Sequence, residues 1–151
     1  VWIAGTRLAS QVDEVGARAF VAARAMIGVR FRAQGCDPAT GVDCAGLVWA
    51  AYAAAGRRLA RPRDYPLRGW ARARVEAALA AAGFAPVDGA VRDGVVALIA
   101  FAAGQFHLGL VGPGSLVHAH AGLRRVVETP FDAGVEDAVL CRLRCGPPRC
   151  D

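Results

Sequence analysis

Apolar and polar positions follow two different periods along the chain, and the change falls near Gly83. Before that residue, apolar side chains recur every three or four positions, which is typical of helices that bury one face. After it, short runs of β-prone residues follow one another, separated by turn residues. Because helices come first and strands follow, the sequence predicts an α+β fold with an antiparallel sheet.

Three helices are predicted in the first half, separated by segments in which glycine and proline interrupt the periodicity. Ser10, followed by Asp13 and Glu14, resembles a helix start with carboxylates in the first turn. The predicted helices cover about 11–27, 43–55 and 69–82, and the irregular segments cover 29–42 and 57–68.

Six strands are predicted in the second half, and the turn Gly112-Pro113-Gly114 is expected to join two of them as a hairpin. The predicted strands are 84–87, 95–101, 107–111, 116–119, 124–128 and 138–144. Four aromatic residues are expected to fill the core or its rim, one of them lining a groove: Trp49, Tyr52, Tyr65 and Trp70.

The length of 151 residues fits one domain, so a single domain over 1–151 is expected, with 146–151 as an irregular tail. Hydrophobic residues make up 55% of the chain and charged residues 21%, which excludes a disordered segment. No apolar run reaches the roughly 18 residues of a membrane span. The first residues lack a basic flank and a long apolar stretch, so no signal peptide is expected.

The net charge is +5, and every basic residue is an arginine. These arginines are scattered rather than grouped into a block, so sequence-specific nucleic-acid binding is not predicted. Attraction to an anionic polymer such as a bacterial wall is equally compatible with this charge.

The five cysteines cannot all pair within the chain, because their number is odd. Four of them, Cys36, Cys141, Cys145 and Cys150, have spacings unlike those of common zinc sites. Disulfides, including one between Cys36 and a tail cysteine, and incidental thiols in an exposed tail are the alternatives. No metal and no cofactor is predicted.

Cys44 differs from the other cysteines because it stands with Asp43 at the predicted start of the second helix. Backbone N–H groups and the positive end of the helix dipole at that position favour a thiolate, so a lowered pKa is expected. The same N–H groups are suited to stabilise an oxyanion. The alternative is a small buried hydrophobic residue.

All three histidines lie within the second half, at His107, His118 and His120. Pairing across the Gly-Pro-Gly turn is expected to bring His107 and His118 together, and His118 and His120 share one face of a strand. An imidazole is a suitable base for a thiol, with a second group fixing its tautomer. A metal site built from Cys44, His107 and His118 is rejected, because these groups already form a nucleophile, a base and an orienting group.

Four segments, in this order, resemble the NlpC-type cell-wall cysteine peptidases: Ile27-Gly28-Val29-Arg30-Phe31, Gly41-Val42-Asp43-Cys44-Ala45-Gly46-Leu47-Val48, His107-Leu108-Gly109-Leu110-Val111 and Leu116-Val117-His118-Ala119. The resemblance implies a papain-like fold, in which the cysteine helix packs on an antiparallel sheet carrying the histidines. It implies that Cys44 is the nucleophile, His107 the base and His118 the orienting group. Hydrolysis of peptidoglycan stem peptides is the implied activity.

Two positions depart from the family pattern, Ala45 for a serine and Phe31 for a tyrosine. The missing phenol removes a possible donor near the oxyanion or substrate, and Gln34 is a candidate replacement. Cys44, Phe31, Gln34 and Asp43 are therefore the expected oxyanion or substrate positions. His120 is the expected supporting residue beside the histidine pair.

A further resemblance is to the branch of this family found in phage tails and gene transfer agents. It lies in His118-Ala119-His120, Gly122 and Val126-Val127-Glu128. This resemblance implies a virion tail component that binds tail tip or hub proteins and opens the wall for DNA delivery. Two alternatives remain: an inactive structural tail module, which Phe31 favours, and an amidase or acyltransferase using the same three residues.

Overall fold

A computed structural model of the chain describes residues 2–62, 65, 71–87, 90–100, 106–132 and 138–144, with the side chains of 2–10 excepted. Its helices are α1 Trp2–Ala25, α2 Cys44–Ala54 and α3 Arg72–Ala81. Its strands are β1 Cys36–Asp37, β2 Gly41–Val42, β3 Phe84–Pro86, β4 Val96–Ala100, β5 Phe106–Gly112, β6 Ser115–His120, β7 Arg125–Pro130 and β8 Ala138–Leu143.

The predicted α+β fold is confirmed by the main sheet, which has six strands in the order β3-β8-β4-β5-β6-β7. Every pair of neighbouring strands in it is antiparallel. All six predicted strands are present, and β5 and β6 form the predicted hairpin through the turn at Pro113 and Gly114. The strands that carry the three histidines therefore lie side by side.

The predicted start of the first helix is wrong, because α1 begins at Trp2 and not near residue 11. Ser10, Asp13 and Glu14 lie inside this helix. The three residues directly before Ser10 are the good helix formers Arg7, Leu8 and Ala9, so the helix extends back through the capping signature. Such a signature marks a helix start only where the preceding residues do not favour a helix.

The segment 29–42 is more ordered than predicted. It contains a two-stranded antiparallel ladder of β1 and β2, and isolated bridges join Arg30 to Arg125 and Phe31 to Val42. The turn between β1 and β2 is held by Asp37, whose side chain accepts a 2.9 Å hydrogen bond from the Ala39 N–H. This segment therefore ties the start of α2 to β7.

The main core lies between the helices and the sheet. Helix α2 packs on β5, β6 and α1, and its buried side chains include Leu47, Val48 and Tyr52. Strands β5 and β6 contribute Leu108, Leu110 and Val117 to the same cluster, and a second buried cluster includes Ile99, Val111, Leu116 and Phe131. Burial of this kind fixes the position of α2 against the sheet, and with it the position of Cys44.

Several predictions concern residues outside the described part of the chain. These are Trp70, the start of the third predicted helix at 69–70, the irregular segment at 63–64 and 66–68, Phe101, Cys145, Cys150 and the tail 146–151. In the described part, residues 57–62 form neither helix nor strand, as predicted. No helix in that part is long and apolar enough to cross a membrane.

Candidate active site

Helix α2 begins at Cys44, and Asp43 caps it. The Asp43 Oδ1 atom accepts a 2.7 Å hydrogen bond from the Gly46 N–H, which would otherwise lack a partner in the first helical turn. Asp43 is only 5% exposed, although it carries a carboxylate. Its burial shows that the carboxylate serves the local structure at the start of this helix.

The other carboxylate oxygen of Asp43 binds two further donors. The Gln34 N–H donates to Oδ2 at 2.7 Å, and the Tyr65 hydroxyl donates to the same atom at 2.5 Å. Gln34 also donates from its side-chain Nε2 to the Tyr65 carbonyl oxygen at 2.6 Å. We call Gln34, Asp43 and Tyr65 the cap network.

Asp43 and Gln34 are expected at the oxyanion or substrate, and the structure places both side chains in the cap network. The Asp43 carboxylate accepts hydrogen bonds from three groups and has no donor for an oxyanion. The Gln34 amide is engaged with Tyr65, and its backbone has a φ of 57°, in the left-handed region. The cap network holds that unfavourable backbone conformation in place.

The glycine of the Asp-Cys-x-Gly segment, Gly46, is required by a close approach of the backbone. The Gly35 carbonyl lies so close that a Cβ at position 46 would be 1.8 Å from its oxygen. The Asp43 N–H donates to that same Gly35 oxygen at 3.1 Å. Only glycine allows this approach, which fixes the strand-like segment before α2 against its first turn.

The Cys44 thiol is half-buried and lies against the backbone N–H of Leu108, the residue after His107. Burial raises the pKa of this thiol to about 11, and the Asp43 carboxylate adds to the increase. The N–H groups of Leu108, Ala45 and Cys44 act in the opposite direction but are weaker than burial. The expectation of a lowered pKa at the helix start is therefore wrong for the resting protein, and Cys44 is a neutral thiol near pH 7.

His107 on β5 and His118 on β6 are hydrogen-bonded, with His107 Nε2 2.7 Å from His118 Nδ1. Their ring centroids are 4.8 Å apart, and the planes are nearly perpendicular. Nε2 of His107 thus faces His118, and Nδ1 lies on the opposite side of the imidazole ring. The predicted proximity of the two histidines across the hairpin is confirmed.

Both histidines are held in the neutral form. Burial lowers the pKa of His107 to about 3, and the neighbouring His118 and His120 add to this effect. Burial and His120 also lower the pKa of His118. A neutral imidazole and a neutral thiol are the protonation states from which general-base catalysis starts.

His120 lies beside the pair, with its ring centroid 5.7 Å from that of His118. Its Nδ1 atom accepts a 3.0 Å hydrogen bond from the Leu123 N–H in the turn between β6 and β7. The other ring nitrogen of His118, Nε2, lies 2.9 Å from the Thr129 hydroxyl on β7. His120 thus fits the expected supporting position, and Thr129 is an additional partner of His118.

Phe31 is half-buried and packs against the main core. The phenol of the cap network comes from Tyr65, in a segment that the sequence marks only as irregular. Tyr65 was predicted simply to fill the core or rim, and no spacing connects it with Asp43. Likewise, no sequence pattern associates Thr129 with a histidine.

Two of the cysteines outside α2, Cys36 and Cys141, lie in the described part of the chain. Cys36 is a half-buried free thiol, and Cys141 on β8 is a buried one, not part of an exposed tail as the incidental-thiol alternative assumed. Cys141 lies on a strand that is paired on both sides, and its side chain packs in the main core. In the described ranges, no group of three or more His, Cys, Asp or Glu side chains is arranged to hold a metal ion.

No protein-family model and no curated protein matches the sequence. Solved structures do match the fold. NlpC1 from Trichomonas vaginalis superposes with a TM-score of 0.63 at 19% identity, covering 85% of this chain and 43% of that chain. The NlpC/p60 domain of the peptidoglycan hydrolase SagA gives 0.55 at 23% identity, covering 83% and 97%.

The peptidoglycan hydrolase RipB from Mycobacterium tuberculosis also matches, with a TM-score of 0.55 at 19% identity, covering 88% of this chain and 66% of that chain. This chain spans less than half of the Trichomonas protein and nearly all of the SagA domain. At these identities the likeness establishes the fold. The chain has the papain-like α+β fold of NlpC/p60 domains.

Proposed function

We propose that this protein is a cysteine peptidase that hydrolyses peptide bonds in the stem peptides of bacterial peptidoglycan. One observation carries the proposal. The Cys44 thiol lies against the N–H of Leu108, and the preceding residue, His107, is hydrogen-bonded to His118. The fold agrees with this activity, since SagA and RipB are named as peptidoglycan hydrolases. The net charge of +5 suits an anionic polymer as substrate.

In the proposed mechanism, the Cys44 sulfur attacks the carbonyl carbon while His107 Nδ1 takes the thiol proton. The backbone N–H of Cys44, at the start of α2, stabilises the oxyanion that forms. His107 then gives its proton to the leaving amine as the C–N bond breaks. A water molecule hydrolyses the thioester in the second half of the reaction, again with His107 as base. His118 holds the His107 ring and stabilises its positive charge.

The test is digestion of purified peptidoglycan, with the products identified by mass spectrometry. We expect a new amine and a new carboxylate within the stem peptide. Cys44→Ser should abolish the release of products, whereas the matched variant Cys36→Ser, at another half-buried free thiol, should retain it. Cleavage between sugar and peptide would instead identify an amidase. A folded protein with no turnover would identify the inactive structural module that the Phe31 position favours.

The setting that we propose is the tail of a phage-like particle or gene transfer agent, with tail tip or hub proteins as partners and the host wall as substrate. The proposal rests on the similarity of the segment from His118 to Glu128 to that branch of the family. Mass spectrometry of purified particles, followed by labelling of the bound chain for electron microscopy, tests it. We expect the label at the tail tip, and particles without this chain would contradict the proposed setting.

A further inference from the structure

The hydrogen-bonded pair of histidines continues to a third group, the hydroxyl of Thr129. His118 uses both ring nitrogens: Nδ1 lies 2.7 Å from His107 Nε2, and Nε2 lies 2.9 Å from Thr129 Oγ1. His118 is only 6% exposed, so bulk water does not readily replace either partner. The three side chains come from three adjacent strands, β5, β6 and β7.

A neutral imidazole has one N–H donor and one nitrogen acceptor, which restricts how this series can be protonated. If Thr129 accepts the Nε2–H of His118, then His118 Nδ1 must accept the Nε2–H of His107. His107 Nδ1 is then unprotonated and able to take the thiol proton. If Thr129 donates instead, both tautomers reverse, and His107 Nδ1 already carries a proton.

We propose that Thr129 is a positioning residue, whose hydroxyl oxygen accepts the Nε2–H of His118 and so holds both histidines in the tautomers that make His107 a base. This inference rests on the proposed function. It adds a fourth residue to Cys44, His107 and His118, and Thr129 acts only through His118.

The strand register explains why this position is suited to the role. His118 pairs with Val127, and Thr129 lies two residues further along β7, on the same side of the strand as Val127. Threonine is branched at Cβ, so its χ1 is restricted and its hydroxyl is held in a narrow range of directions. The oxygen is therefore held next to His118 Nε2, where it is able to accept the Nε2–H.

Two variants of Thr129 separate the hydroxyl from the packing. Thr129→Val keeps the shape but removes the oxygen, and we expect kcat to fall by about tenfold or more with little change in KM. Thr129→Ser keeps the oxygen and should recover most of the lost rate. Ser115→Ala is the matched control, because Ser115 also joins β6 to β7, through a 2.7 Å hydrogen bond to Glu128, and is not bonded to a histidine. Its kcat should be unchanged.

Nitrogen-15 NMR of the histidine rings gives a readout that does not depend on turnover. In the wild-type protein we expect His107 and His118 both to carry the proton on Nε2, and Thr129→Val to populate the other tautomer of His118. A wild-type His118 protonated on Nδ1 would overturn the proposal, as would wild-type kcat in Thr129→Val. Failure of Thr129→Ser to recover activity would show that packing, and not the hydroxyl, matters. If the tautomers are as expected but the wild-type protein cleaves no wall substrate, the proposed function fails and the positioning role stands.

Discussion

Burial decides the protonation of two side chains of the candidate site, Cys44 and His107. The pKa of the thiol is raised to about 11 and the pKa of the imidazole is lowered to about 3, so neither group is charged at neutral pH. The helix start and the N–H of Leu108 favour the thiolate, but at this half-buried position their effect is smaller than that of burial. In the mechanism proposed above, the thiolate is therefore formed during attack on the substrate.

This resting state predicts how alkylation of Cys44 depends on pH. Only the thiolate reacts, so the rate with iodoacetamide should continue to rise above pH 8.5, the value near which an ordinary thiol has its midpoint. Peptide mapping by mass spectrometry after timed reaction separates Cys44 from the other four thiols. A midpoint below about 8.5 would mean that Cys44 and His107 form an ion pair in the free protein.

Substitution of the two histidines of β6 should have different kinetic effects, because His118 is hydrogen-bonded to His107 and His120 is hydrogen-bonded to a turn N–H. His118→Ala removes the group that orients the base, so kcat should fall by about a hundredfold or more, with a smaller change in KM. His120→Ala should change kcat much less. Steady-state kinetics on one soluble stem peptide compares the two variants. A greater loss of kcat in His120→Ala would reverse the assignment.

At the scale of elements, the start of α2 depends on groups from distant segments. Asp43 caps the helix, Gly35 approaches Gly46, and Tyr65, which lies 22 residues further along the chain than Asp43, closes the cap network. The local sequence was sufficient to predict the helix and its cysteine, because the apolar spacing and the capping aspartate are local signals. It was not sufficient to predict Tyr65 or Thr129, since each contact depends on how separate segments pack.

Two buried tyrosines, Tyr65 in the cap network and Tyr52 outside it, should respond differently to the loss of their hydroxyl groups. Tyr65→Phe removes one donor from the Asp43 carboxylate and should lower the free energy of unfolding by about 1.5–3 kcal/mol, together with kcat. Tyr52→Phe removes a 2.6 Å hydrogen bond to the Gly94 carbonyl and should lower stability by about 1 kcal/mol with kcat unchanged. Urea denaturation and initial rates measure both effects. Equal losses of kcat in the two variants would show that the cap network has no special role at Cys44.

At the scale of the whole molecule, the order of the strands could not be predicted from the sequence. All six strands of the main sheet were predicted from β-prone runs and turns, but the insertion of β8 between β3 and β4 was not. Pairing of distant strands depends on the shape of the assembled core, which no local pattern encodes. The active-site strands β5 and β6 were placed correctly because they are adjacent in sequence and joined by a tight turn.

The position of β8 between β3 and β4 predicts where the chain can be shortened. Strand β8 bonds to β3 on one side and to β4 on the other, and it buries Cys141 and Leu143 in the main core. Arg144 still donates a 2.7 Å backbone hydrogen bond to Gly83. Ending the chain after Arg144 keeps all these contacts and should leave the thermal midpoint and the rate of wall cleavage close to those of the full chain.

Ending the chain after Asp132 removes β8, leaves β3 without its partner, and should abolish cooperative unfolding, since the core then loses a strand from its interior. Circular dichroism melts of the two truncated proteins test this, and unfolding of the Arg144 truncation would show that residues beyond it are required for the fold.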